Sequence, residues 1–224
     1  MRNYDLVVFD LDGTLADTKQ DLVDATNHTL GALGLKTHEA DKVASFVGGG
    51  LKLLLQRALL AAGANGDDAA LLDRAAQIFI PHYRAHMLDA TRPYPGTKEM
   101  LERLRSADIS MAIATNKPRV FTEGIVETLF PRLFDPIVAC GDDAPRKPDP
   151  TCVSIARARW PAVDPARILF VGDSVVDIDT ARAARVPVAS CSWGFGARAI
   201  LAEHGPDHLV DDMKQLGDAI VGAV

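Results

Sequence analysis

Two aspartates one residue apart, Asp10 and Asp12, end an apolar run in the stretch VVFDLDGT of this 224-residue chain. Like charges this close raise the cost of ionising one another, so either the chain turns to solvent there or a cation belongs between them. Three further polar groups follow apolar runs of the same kind. Thr115 and Asn116 come after ISMAIA, Lys147 lies in RKPDP beyond PIVAC, and Asp173 and Asp177 stand in GDSVVD after RILFVG. Carboxylate oxygens are hard ligands suited to Mg²⁺, which takes a few of them and leaves room for waters and phosphate oxygens. A carboxylate can also attack phosphorus to give an aspartyl-phosphate. A second carboxylate then protonates the leaving alkoxide and later deprotonates water, because paired groups have their pKa values pushed apart. In such a set Thr115 and backbone N–H groups bind phosphoryl oxygens, and the Lys147 ammonium neutralises phosphoryl charge.

These residues need a scaffold that brings four distant segments together. Residues 5–9, 109–114, 136–140, 167–172 and 186–190 are apolar at consecutive positions, as in parallel strands covered on both faces. Helical spacing fills 97–107, 119–129, 150–159 and 174–185 between them. The alternation predicts a doubly wound α/β sheet. Ligands bind outside the carboxyl ends of such strands, where all four polar clusters fall. From Thr18 to Ala90 no strand pattern occurs, only Ala- and Leu-rich helical stretches broken at VGGG and AGANGDD, until Pro93, Pro95 and Gly96 mark a return. The chain therefore divides into an α/β core of residues 1–15 and 92–224 and a helical insertion of residues 16–91.

Composition narrows the class. Hydrophobic residues make up 48% and charged residues 24%, enough for a buried core in a soluble protein. The net charge of −6 supplies no basic surplus for nucleic acid or an anionic membrane. Cys140, Cys152 and Cys191 are odd in number and widely spaced, as for reduced buried thiols. The N-terminus lacks a signal-peptide layout and no apolar stretch is long enough to span a bilayer, so a cytoplasmic location is expected.

Each motif also has a plain structural reading. An isolated Asp-X-Asp is commonly a solvated acidic turn, and Asp173 or Ser174 is a ready N-cap for the helix that follows. Thr115 and Asn116 are equally good caps, and Gly48–Gly50 make a flexible break between helices. In the functional reading that break is a loop where Gly49 admits substrate against backbone and Lys52 contacts it. His82 and His86 share one helix face, but no Glu completes a zinc-protease pattern and no third ligand stands nearby in sequence, so exposed helix histidines are expected. Trp160, Trp193 and Phe195 are read as packing residues. The convergence of four clusters at successive strand ends favours the catalytic reading.

Taken together these motifs resemble the haloacid dehalogenase superfamily of phosphotransferases, with DLDGT (10–14), ATN at Thr115, RKPDP at Lys147 and GDSVVD at Asp173 and Asp177 in order. The resemblance implies a Rossmann-like core with a small helical cap of the C1 type after the first strand. It implies Asp10 as nucleophile, Asp12 as general acid/base, Thr115 as a phosphoryl hydrogen-bond donor and Lys147 as its counter-ion. Mg²⁺ would be held by the Asp10 carboxylate, the Asp12 backbone carbonyl and Asp173, with Asp177 behind them. VGGGLKLLLQRAL, YPGT, ATNKP, GDDAPRKPDP and CSWGFG are most similar to phosphoglycolate phosphatases, so the implied partner is a small phosphorylated metabolite such as 2-phosphoglycolate. Rivals on the same fold are a phosphosugar mutase, whose members often carry Val at the place of Thr14, and phosphatases for sugar phosphates, nucleotides or pyrophosphate. A dehalogenase does not use Asp12. A phospho-receiver is half this length and uncapped, and a regulator on this scaffold would be expected to have lost one of the named groups.

Overall fold

The computed structural model describes residues 2–222. Its strands in chain order are β1 (Leu6–Phe9), β2 (Ala16–Asp17), β3 (Arg92–Pro93), β4 (Ser110–Thr115), β5 (Ile137–Ala139), β6 (Ile168–Gly172), β7 (Val188–Cys191) and β8 (His208–Val210). The first helices are α1 (Lys19–Ala32), α2 (Ala40–Ala44), α3 (Leu51–Ala61) and α4 (Ala69–His86), all between β2 and β3. The others are α5 (Thr97–Ser106), α6 (Arg119–Leu129), α7 (Thr151–Ala158), α8 (Val175–Ala184), α9 (Arg198–Glu203) and α10 (Met213–Val221). Six strands pair in parallel in the order β5-β4-β1-β6-β7-β8.

All four side chains of β1 are fully buried, and the period of two sends them to opposite faces. Val7 and Phe9 join Met111, Ile113, Leu169 and Val171 in a cluster reached by α5, α6 and α10. Leu6 and Val8 join Ala112, Val138, Ile168 and Phe170 under α7 and α8. Burying each such branched or aromatic side chain stabilises the fold by about 1.5–3 kcal/mol. The helices on both faces explain why the strands are apolar without alternation.

The chain runs from β1 outward through β4 to β5, then returns to the other side of β1 for β6, β7 and β8. Such a reversal opens a crevice at the carboxyl ends of the central strands. Register aligns its contents: Phe9 lies opposite both Ile113 and Val171, so Asp10 emerges one residue beyond that level and Thr115 and Asp173 two residues beyond it.

The helical layer begins and ends at the antiparallel ribbon β2–β3, where Ala16 faces Pro93 and Asp17 faces Arg92. Buried Asp21 on α1 accepts hydrogen bonds from the backbone N–H groups of Ala90 and Thr91 and from the Thr91 hydroxyl, fixing the returning chain against the departing one. The two breaks fall as expected. Gly50 precedes α3 with φ of 83°, a conformation that favours glycine. Asp68 caps α4 by accepting from Ala70 and Leu71 N–H. The two-residue strands, β8 and α9 carry signals too short for sequence periodicity to isolate.

Candidate active site

Asp10 leaves β1 buried at the base of a cavity, with Oδ1 accepting the Leu11 N–H at 2.7 Å and Oδ2 lying 3.0 Å from Lys147 Nζ. The same ammonium reaches Asp177 Oδ1 at 2.7 Å. Burial works against its charge, yet Asp10 and Asp177 together hold the Lys147 pKa above its ordinary value. Asp177 turns its other oxygen back to the Ser174 N–H and hydroxyl, at 3.0 and 2.6 Å. It thereby caps α8 while orienting the lysine.

Asp173 follows β6 and accepts from the Thr14 hydroxyl at 3.0 Å and the Phe195 N–H at 2.7 Å. Glycines crowd it: a Cβ on Gly194 would stand 2.3 Å from the Asp173 Cβ and 2.4 Å from the Gly13 carbonyl. Side chains at these positions would displace the carboxylate. Trp193, beside this loop, donates its ring N–H to the Thr14 carbonyl at 3.1 Å. The CSWGFG segment thus braces Asp173 and Thr14 as well as packing.

One carboxylate oxygen from each of Asp10, Asp173 and Asp177 lies within 4.8 Å of the others. Counting Asp12, four carboxylates face two ammonium groups, Lys147 and Lys117, a surplus of two negative charges when all are ionised. Burial, with Asp177 and then Asp10 as like charges, raises the Asp173 carboxyl to about 8. Burial also raises Asp10 to about 6, with Asp177 adding to the shift and Lys147 opposing it. The donor set is all hard oxygen and its charge surplus matches a divalent cation, so a metal ion fits between Asp10 and Asp173. Asp177, with both oxygens already engaged, stands behind them.

Asp12 also lines the cavity. Its Oδ2 lies 3.1 Å from Lys117 Nζ, and its buried Oδ1 has no partner among the described residues. Lys117 is buried and donates to the Tyr83 hydroxyl of α4 at 2.7 Å. Burial opposes its charge, but Asp12 and Tyr83 hold its pKa above the ordinary value. Burial pushes the Tyr83 hydroxyl up to about 12, with Lys117 opposing and Asp12 adding. Thr115 is buried with its Oγ1 accepting the Lys117 N–H at 3.3 Å.

The other sequence candidates are placed differently. Asn116 lines the cavity, but its amide is committed to backbone: Oδ1 accepts the Lys147 N–H at 2.9 Å, and Nδ2 donates to the carbonyls of Gly48 at 2.9 Å and Lys147 at 3.2 Å. It holds the Lys147 loop and the glycine loop together rather than offering a free donor. Gly48 and Gly50 line the cavity, whereas Gly49 does not; the Gly49 carbonyl accepts from Arg146 at 3.3 Å. Lys52 is exposed on the first turn of α3 and outside the lining. His82 stacks on His28 of α1 with centroids 3.8 Å apart, a third histidine that spacing on α4 alone does not reveal.

Lys117 and Tyr83 were missed as site residues, although each left a signal. Lys117 directly follows Thr115 and Asn116, and Tyr83 continues the inward stripe Leu72, Ala75, Phe79 on α4. With Leu22, Leu54 and Phe121 they complete the lining of a cavity that is partly open to solvent. Among the described residues no helix is long and apolar enough to cross a membrane.

Known proteins share this fold. The haloacid dehalogenase-like hydrolase profile matches residues 7–191. A phosphoglycolate phosphatase of Agrobacterium fabrum is 37% identical over 216 residues, covering 96% of this chain and 91% of the relative. Another, from Mesorhizobium japonicum, is 39% identical over 196 residues, covering 87% and 86%. A crystal structure from Lactobacillus delbrueckii subsp. bulgaricus, of a protein assigned provisionally to the phosphoglycolate phosphatases, superposes with a TM-score of 0.90 at 29% identity over 100% of both chains. This chain belongs to the haloacid dehalogenase-like hydrolases, as a phosphoglycolate phosphatase-like phosphoric monoester hydrolase.

Proposed function

We propose that the chain is a Mg²⁺-dependent phosphatase for a small phosphomonoester, 2-phosphoglycolate foremost, working through an aspartyl-phosphate on Asp10. The observation that carries this reading is the unequal pair at the end of β1: Asp10 is anchored by Lys147 beside Asp173, while Asp12 keeps a buried carboxylate oxygen without a partner. Names of the relatives support the substrate.

Asp10 attacks phosphorus as Asp12 gives its proton to the departing alkoxide. Asp12, now ionised, takes a proton from the water that attacks the aspartyl-phosphate, which restores Asp10 and releases phosphate. Thr115 offers its hydroxyl hydrogen to a phosphoryl oxygen, and Lys147 offsets charge beside the nucleophile. The Asp10 and Asp173 carboxylates and the Asp12 backbone carbonyl would hold Mg²⁺, which when bound neutralises phosphoryl charge and relieves the carboxylate repulsion. Residues 16–91 serve as the lid over the core of 1–15 and 92–224. This is supported by Leu22, Leu54, Phe79 and Tyr83, which the helical layer contributes to the cavity wall. Closure over so apolar a wall excludes water from the competing path.

A Mg²⁺-dependent screen of phosphate esters tests this, with 2-phosphoglycolate, glucose phosphates, nucleotides and pyrophosphate as substrates. The highest kcat/KM is expected for 2-phosphoglycolate. Equal activity across the set rules out a dedicated enzyme, and undiminished turnover in EDTA rules out the metal.

A further inference from the structure

Lys117 is the only cation among the residues lining the cavity; Lys147 lies beneath Asp10 and outside the lining. Two of the three hydrogens on its ammonium go to Asp12 at 3.1 Å and Tyr83 at 2.7 Å, leaving one unspent. Tyr83 accepts that bond, and among the described residues no group takes its own hydroxyl hydrogen. Two unspent donors, one of them charged, therefore sit together in a cavity whose lining includes Leu22, Leu54, Phe79 and Phe121. Buried donors in apolar surroundings discriminate strongly in favour of a ligand that satisfies them. Their position is equally telling. Lys117 is bonded to Asp12, the proposed proton donor to the leaving oxygen, so both donors lie on the leaving-group side of the phosphoryl site.

We propose that Lys117 and Tyr83 form a subsite for a carboxylate on the leaving group. The inference rests on the phosphatase reading and assigns to Lys117 and Tyr83 the selection of an anionic over a neutral leaving group. A neutral alkyl ester leaves the Lys117 charge facing apolar carbon, and a cationic one is repelled.

Two probes of similar size test it: 2-phosphoglycolate and ethyl phosphate, with Mg²⁺ present. The wild type is expected to favour 2-phosphoglycolate in kcat/KM. The ratio between the two esters should fall at least about tenfold in Lys117→Met and severalfold in Tyr83→Phe, as expected for loss of charged and neutral hydrogen bonds. Only the ratio is read, because Lys117→Met also strips Asp12 of its counter-ion and slows both reactions. Tyr83→Phe keeps the ring against Phe121 and so guards against failure of the lysine variant to fold. A ratio unchanged in both variants overturns the subsite and leaves Lys117 as the counter-ion of Asp12 alone. Titration of both esters into Asp10→Asn by calorimetry separates this inference from the parent reading. If the wild type releases no phosphate from either ester, the phosphatase reading fails. A binding preference for 2-phosphoglycolate that disappears with Lys117→Met then still upholds the subsite, and equal binding of both esters overturns it.

Discussion

Metal binding should expel close to one proton near neutral pH, and the structure sets the size of the effect. In the metal-free protein burial and neighbouring carboxylates raise Asp173 to about 8 and Asp10 to about 6. At pH 7 Asp173 is then mostly protonated and Asp10 mostly ionised, so about one proton must leave when a cation takes the site. The apparent affinity for Mg²⁺ should rise roughly tenfold from pH 6.5 to pH 7.5 and level off above pH 8.5. The sign for stability follows from the same shifts. The folded state holds protons that unfolded carboxylates release near pH 4, so metal-free stability falls as pH rises toward 8. One proton corresponds to about 1.4 kcal/mol per pH unit. For a chain of this size that is a loss of about 3–5 °C in Tm per unit between pH 6 and 8. Calorimetric titration in two buffers of different ionisation enthalpy counts the protons, and thermal unfolding in EDTA follows the stability. Asp173→Asn should remove the slope while leaving any histidine titration in place. Proton release near zero at pH 7, or a flat Tm in EDTA across this range, would refute the account of the buried carboxylates.

Three substitutions probe the remaining roles. Asp10→Asn should lower kcat at least about a thousandfold while the protein stays folded by circular dichroism, since it removes the proposed nucleophile and a buried charge. Asp12→Asn should keep Mg²⁺ affinity within a few-fold, since a backbone carbonyl is its proposed ligand, yet slow kcat by about 10²–10⁴. Burst kinetics would then detect a longer-lived phosphoenzyme; an undiminished steady-state rate removes Asp12 as acid/base. Gly194→Ala places a methyl against Asp173 and the Gly13 carbonyl, so Mg²⁺ affinity by calorimetry and Tm should fall together.

Much of the architecture was readable from local pattern. Continuous apolarity at Leu6–Phe9 and Ile168–Gly172 reports burial on both faces, and the polar residue that ends each strand reports the sheet's carboxyl edge. Asp10, Thr115, Lys147 and Asp173 were legible because strand ends converge in this topology. Asn116 beside Thr115 reads in sequence as a ligand donor, and only the fold shows its amide engaged by Lys147 and Gly48. Lys52 lies exposed on α3 outside the cavity lining, and nothing in a short glycine loop tells which residues of the next helix turn inward. Tyr83 and Lys117 come from segments 34 residues apart in sequence, and only the packing of α4 over the strand ends joins them.

The ribbon β2–β3 brings the departure and return of the helical layer to adjacent residues, Ala16 beside Pro93. Beyond that junction the chemistry is held by strand ends and loops of the sheet. On the proposed reading, exchange or shortening of the helices would alter which leaving groups are admitted while Asp10, Lys147 and Asp173 keep their places. Selectivity would then diversify through the helical layer, coupled to the strand ends through Tyr83 and Lys117, with the ribbon as the joint between the two.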